Sequence, residues 1–494
     1  MKSINDFLKS KLKEKSMRVE TFIRKTDVSK STIYRVMKGY QKPSEELLQK
    51  MVEVLSLNVL EEQELRYYGN LLNADADVLN AREAVFNLLY KSDTTPLNKF
   101  ELVYYDDEKY IRTFDKVLQN ILEEAENENF SIKIRIINCY QDNVINPVYT
   151  FASEMMIREK MHKIEHLITL SVLNSKENVF ILNEIMSLLS LDHYSVLYCE
   201  SEGVSGNGLF NDFIIIDYQY NTPAGDKVEQ HLYISVLREN LSACYVVSDE
   251  NLQEFFERSY ETLSHDYKSA LTVEKKHEFL GGILLDQEEN HDVYFFKPNP
   301  CYQRIPITVY QNMNERTSLY DFVCSYFHTK ISPETYEEYL EQLLVFMTNR
   351  MEASYKNRQI DILSQSGLES LAATGMLSDP WENFPPFSKE EIKMIFESLK
   401  TRDMDESDPY NFYILKDGYS NDNITVYASK DYRLEIEYSK EKYIYDTIPL
   451  CIIEHEGLSN IFSDFAENYV PTMLAMPQAE AYAFIDSLIE KYGA

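Results

Sequence analysis

Lys30, Ser31, Thr32, Tyr34, Arg35 and Lys38 crowd one short stretch that Ser29 opens and Gly39 closes. Hydroxyl, ammonium and guanidinium groups at that density suit hydrogen bonding to base edges and phosphate oxygens rather than bond-making chemistry. Arg18 and Lys42 flank the stretch, and Lys9, Lys11, Lys13 and Lys15 precede it; a backbone phosphate is the natural partner for such side chains. The local charge agrees. Residues 1–44 carry 12 Lys and Arg against 4 Asp and Glu, net +8, while the whole chain of 494 residues stands at -32, which leaves -40 for the remainder. An acidic remainder repels nucleic acid, so double-stranded DNA is expected to meet only the basic N-terminal head.

Groups that could make or break bonds are thin by comparison. His162 and His166 stand four apart with Glu165 between them, a spacing that on a helix lets two imidazoles face one metal. HKIEH lacks the glutamate placement of H-E-x-x-H, however, and a partly solvated helical face is the better reading. Gly203, Gly206 and Gly208 resemble a phosphate-binding loop, but no helix opens after them, which favours a hairpin between two strands. Glu274-Lys275-Lys276 fits the E-x-K fragment of metal-dependent nucleases without an evident partner aspartate. Cys139, Cys199, Cys244, Cys301, Cys324 and Cys451 are widely spaced and contain no C-x-x-C pair, so thiols in a reducing compartment are expected rather than a zinc site or disulfides. No catalytic residue, cofactor or metal is assigned, and an enzyme is not expected.

The elements that must position the basic stretch are helices. Phe22, Ile23, Val28, Ile33, Val36, Leu48, Met51, Val52 and Leu55 fall at helical spacings that close a small core. Asp27 marks a turn, Ser29 can cap the helix after it, and Pro43-Ser44 opens the next. Val28, Ser29, Ser31, Thr32, Ile33, Arg35, Val36 and Gly39, followed by Lys42, Pro43, Ser44, Leu48, Met51 and Leu55, resemble the helix-turn-helix of the Xre family, the phage-repressor/Cro-like DNA-binding domains. The resemblance covers only the N-terminal domain. It implies a recognition helix from about Ser29 to Lys38 in the major groove, with Arg18, Ser29, Lys30, Ser31, Thr32, Tyr34, Arg35, Lys38 and Lys42 as DNA-binding residues. Three positions depart from the family pattern: Asp27 replaces the usual turn glycine, Ile23 a small residue, and Val19 a glutamine.

The rest of the chain reads as a body of mixed secondary structure. Residues 57–92 look helical, a helix from about Lys109 to Asn127 precedes the alternating strand FSIKIRIINCY, and another helix is expected from about Val148 to Val172. The pattern then repeats. A helix near 178–190, the runs SVLYCE, FIIIDYQY, LYISVLR and ACYVV, and the helix NLQEFFERSYETL are echoed by a helix near 389–400, NFYILKD, ITVYAS, RLEIEYS, IPLCIIE and GLSNIFSDFAENY. The closing helices align Leu252 with Leu458 and Phe256 with Phe462, and a weaker third version is DVYFFKP, IPITVYQ and TSLYDFVCSYF. Between the copies, Ser332 and Pro333 open a long helix, and Ser388 with Glu391 forms a capping box.

The expected fold class is therefore multidomain: an all-α N-terminal helix-turn-helix domain followed by an α+β body with duplicated antiparallel-sheet modules. The segments expected are a DNA-binding domain at 1–72, a helical bridge with a strand at 73–176, an α/β module with a sensing role at 177–330, a long helix and Pro-rich link at 331–388, and a second α/β module at 389–494. No apolar run reaches membrane-spanning length and the N-terminus is not signal-like, so a cytoplasmic protein with no membrane partner is expected. These features point to a bacterial sequence-specific transcriptional regulator, a homodimer whose body senses a small-molecule, peptide or protein effector. The alternatives are an enzyme or phage-defence-type effector, or an interaction scaffold, in which the head only tethers or autoregulates.

Overall fold

The computed structural model describes residues 4–90, 111–201, 212–275, 290–377, 385–438 and 447–492, apart from shorter interruptions inside these stretches. In chain order the head contains α1 (Ile4–Glu14), α2 (Val19–Thr26), α3 (Lys30–Met37) and α4 (Glu45–Leu55), and α5 (Ala76–Tyr90) follows. Next come β1 (Ile111–Thr113), α6 (Phe114–Glu124), β2 (Glu128–Ile137), α7 (Asp142–Ile157), β3 (Met161–Ser171), α8 (Ser175–Ile185) and β4 (Tyr194–Ser201). The strands β5 (Phe213–Asn221), β6 (Lys227–Val236) and β7 (Ala243–Val247) lead to α9 (Glu250–Asp266), β8 (Lys268–Ser269) and β9 (Leu271–Lys275). The second half runs β10 (Val293–Phe296), α10 (Ile307–Met313), α11 (Pro333–Ala353), β11 (Gln359–Leu363), α12 (Gln365–Thr374), α13 (Lys389–Met404), β12 (Tyr410–Ile414) and β13 (Ile424–Ser429). It closes with β14 (Arg433–Tyr438), β15 (Thr447–Ile453), α14 (Glu456–Asp464), a π-helical segment Phe465–Leu474 and α15 (Gln478–Tyr492).

Compactness groups the chain into two discontinuous units, which cut across the consecutive segments expected from the sequence. One holds Met1–Phe86, Leu280–Tyr432 and Ser459–Ala494; the other holds Asn87–Phe279 and Arg433–Leu458. In the second unit an eight-stranded sheet has the order β1-β7-β6-β5-β2-β3-β4-β8. β2, β3 and β4 are parallel and are joined through α7 and α8, while β5 runs antiparallel to β2. Ile132, Ile134 and Ile136 of β2 are buried on one face; on the other, Ile137, Leu167, Phe213, Ile215 and Tyr233 pack with Phe256 and Tyr260 of α9. The same unit holds the antiparallel pairs β14–β15 and β15–β9.

In the first unit the order is β12-β11-β10-β13, with β10, β11 and β12 parallel and β13 antiparallel to β10. This reproduces β4-β3-β2-β5 strand for strand in direction and in helical crossovers. The correspondence continues. β7 pairs with β6 and β1, as β15 pairs with β14 and β9, and the closing helices bury Phe256 and Phe462 completely. The body is thus a duplicated α+β module.

Several expectations are corrected. The modules are mixed rather than purely antiparallel, because the helix expected over 148–172 ends at Ile157 and the chain re-enters the sheet as β3. β4 and β5 are not hairpin neighbours, since β2 and β3 lie between them; the glycines at 203, 206 and 208 fall outside the described residues. The third repeat dissolves, because ITVYQNM is α10 and not a strand. Glu274 and Lys275 lie on β9 rather than on a helix, and Lys276 is outside the described residues. The helix expected from Lys109 starts at Phe114, behind the short strand β1. The openings of α11 and α13 are as expected: the Ser332 hydroxyl accepts from the Thr335 amide, and Ser388 and Glu391 form the reciprocal box.

Candidate nucleic-acid interface

The head is built on a small core in which Leu8, Phe22, Ile33, Val36 and Met51 are fully buried. Burial of such side chains contributes about 1.5–3 kcal/mol each, enough to fix three crossing helices where propensity alone leaves eight-residue helices unformed. Ile23, bulkier than the family pattern, is accommodated at the partly buried rim of this core. Asp27 follows α2 with φ 52° and ψ 38°, the left-handed conformation, and so turns the chain into α3 where a glycine is usual.

Ser29 then caps α3. Its hydroxyl accepts from the Thr32 amide at 3.1 Å and lies 2.9 and 2.8 Å from the hydroxyls of Ser31 and Thr32. Ser44 caps α4 in the same way, accepting from the Leu47 amide at 3.2 Å. With Ile33, Val36 and Met37 buried, the opposite side of α3 faces outward: Lys30, Ser31 and Arg35 are exposed, and Thr32 and Tyr34 are half-buried. The Lys30 ammonium lies 5.8 Å from the centre of the Tyr34 ring, which orients it along the helix. Arg18, Ser29, Lys38 and Lys42 are exposed around this face. Gly39, expected to end the helix, is outside the described residues. Val28, Thr32, Gln41, Lys42, Pro43 and Ser44 line a hollow of about 530 Å³ between the starts of α3 and α4.

The structure separates the basic residues into two groups. Among the described residues, Arg18, Lys30, Arg35, Lys38 and Lys42 have no ion-pair partner. Lys11 is held by Glu14 at 2.8 Å and Glu61 at 2.5 Å, and hydrogen bonds to these two carboxylates raise its pKa. Lys11 therefore ties α1 to the chain after α4, which corrects its expected role on phosphate. Arg24 and Lys25, not singled out from the sequence, are exposed on the last turn of α2, and their cue was the basic end of a short helix.

Residues 8–61 match the family model described as Helix-turn-helix. The N-terminal domain is a helix-turn-helix of the Xre/Cro-like kind. Comparison with curated proteins and with solved structures returned no match. The helix-turn-helix thus accounts for the exposed basic helix, and the body stands outside the matched range.

Elsewhere no group of three or more metal-ligating side chains forms among the described residues. His162 and His166 lie on β3, where four residues span about 13 Å, too far to share an ion. His162 is exposed, whereas His166 is fully buried with Nδ1 2.9 Å from the Tyr194 hydroxyl. Cys139, Cys199, Cys324 and Cys451 form no disulfide, and burial pushes the Cys451 thiol up to about 12, where it stays protonated and unreactive. No helix among the described residues is long and apolar enough to cross a membrane.

Proposed function

We propose that the protein is a sequence-specific DNA-binding transcriptional regulator, not an enzyme, whose helix-turn-helix reads an operator as part of a homodimer. The observation that carries this is the exposed face of α3, where Lys30, Ser31 and Arg35 project from a capped helix with no carboxylate paired to either cation among the described residues. A helix of this size fits the major groove, and the residues nearest its N-terminus reach base edges. One short helix offers few base contacts, so two copies on half-sites about 34 Å apart supply the specificity. The duplicated body supplies the dimer contact and responds to a small-molecule, peptide or protein effector by differential affinity for two arrangements of the heads. The acidity of the body keeps DNA on the head.

The test is retention of genomic fragments by the purified full chain at low ionic strength. Wild type should select a small set of fragments. Arg35→Ala alters an exposed side chain outside the head core and should weaken binding to that set by about 1–3 kcal/mol, roughly 5- to 150-fold. A wild-type chain that retains no fragment under any tested effector condition removes the proposal.

A further inference from the structure

The π-helical segment Phe465–Leu474 belongs to the same compact unit as the head and faces two neighbours. Toward the head, Tyr469 and Met473 pack against the helix-turn-helix core, and Phe86 of α5 lies 6.2 Å from the Tyr469 ring. Just before the segment, Asp464 receives two hydrogen bonds from Arg82 of α5, at 2.5 and 2.7 Å. Toward the sheet, Glu467 accepts from the Tyr294 hydroxyl of β10 and from Arg358 and Lys430 at 3.3 and 3.2 Å. Tyr294 is fully buried, whereas Arg358 and Lys430 are partly open to solvent, so this half-buried carboxylate bridges the floor of the sheet and its solvated rim.

Two features make the segment suited to move as a piece. A run of π-helix this long is uncommon, since π-helix occurs mostly as single turns inside α-helices, and such turns are frequent at functional sites. Pro471 also lies inside it and removes one backbone donor. Glu467 and Tyr469 are two residues apart, so rotation that frees the carboxylate also swings the ring that completes the head core.

We propose that the segment Phe465–Leu474 couples the pairing of Glu467 with Arg358 and Lys430 to the docking of the helix-turn-helix head. With Glu467 paired, Tyr469 and Met473 hold the head in a fixed direction. With Glu467 released, the head gains orientational freedom, which lowers affinity for two half-sites at fixed spacing. The consequence for DNA rests on the head being a DNA reader; the consequence for docking does not.

The experiment compares the full chain with Glu467→Gln, measuring amide hydrogen exchange across α1–α4 and affinity for a duplex selected by wild type from random sequence. Exchange in α1–α4 should quicken at least fivefold while the amides of β2–β5 stay protected, and duplex affinity should fall at least about fivefold, within the usual range of coupling. Lys430→Gln, which removes one partner and keeps the carboxylate, should move both readouts in the same direction and serves where Glu467→Gln does not fold. Unchanged exchange in α1–α4 in a folded variant overturns the coupling. Quickened exchange with unchanged duplex affinity overturns its link to DNA. A wild-type chain that selects no duplex overturns the DNA reading alone, while the exchange measurement still decides whether the segment governs docking.

Discussion

His166 is fully buried on β3, its Nδ1 facing the Tyr194 hydroxyl and its Nε2 without a hydrogen-bond partner among the described residues. Burial alone lowers its pKa from 6.5 to about 3, so the folded protein keeps it neutral where the unfolded chain takes up a proton. The resulting stability is present above pH 6.5 and is lost as pH falls toward 3. Glu165 next to it behaves differently. Burial acts to raise its pKa, but Lys133, Lys163 and Tyr260, at 2.6, 2.7 and 2.9 Å, outweigh burial and hold it down at about 2. Its contribution is present above the ordinary 4.5 and is lost only as pH falls through 2. Between pH 6.5 and 4.5 the loss therefore belongs to His166, at up to about 1.4 kcal/mol per pH unit. His166→Phe should flatten the slope of unfolding free energy in that window relative to wild type, measured by denaturant titration at several pH values; an identical slope would show that the imidazole is hydrated.

At the scale of single elements, α3 depends on its cap. Eight residues of helix are too few to persist alone, and Ser29 satisfies one of the orphaned amides at the end nearest the expected bases. Ser29→Ala should cost about 1 kcal/mol of head stability, read as faster exchange of α3 amides, and Ser29→Asp should recover most of it. Local signals of this kind are legible in the sequence: Asp27 in the turn, Ser29, Ser44 and Ser388 as caps, and Ser332-Pro333 opening α11. They depend on neighbours within a turn of helix. The parallel core of the first module is not legible, and the reason lies in one stretch. HKIEH has a spacing that suits a helix, so β3 reads as part of the helix before it, although Ile164, His166, Ile168 and Leu170 alternate as a strand requires. Without β3 both crossovers vanish and only hairpins remain to propose. ITVYQNM misleads in the opposite direction, since its β-branched residues favour a strand while Val309, Tyr310 and Met313 bury one face of α10. The duplication shows through both errors because the second halves of the modules are joined by local hairpins and close on Phe256 and Phe462.

For the molecule as a whole, charge decides where a polyanion can rest. The first 44 residues carry +8 and the remainder -40, so a duplex on α3 is attracted nearby and repelled by everything beyond. At physiological salt the repulsion is screened over about 8 Å, which leaves affinity to the few cations that touch phosphates. The structure sorts these cations by whether a carboxylate already holds them. Lys42 is exposed beside the hollow at the start of α4, whereas Lys11 is clamped between Glu14 and Glu61. Each phosphate contact releases condensed counterions and adds about 0.9 to the slope of log affinity against log salt. Lys42→Gln should therefore reduce that slope by about 0.9 for specific and non-specific duplexes alike, because a phosphate contact carries no sequence information. Lys11→Gln should leave the slope unchanged and instead lower the thermal stability of the head, since it removes an ion-paired tie between α1 and the chain after α4. Titrations of the full chain from about 50 to 200 mM salt read both effects, a range over which several phosphate contacts change affinity by orders of magnitude. Equal slopes for wild type and Lys42→Gln would move the phosphate track away from the start of α4, toward the exposed Arg24 and Lys25 at the end of α2.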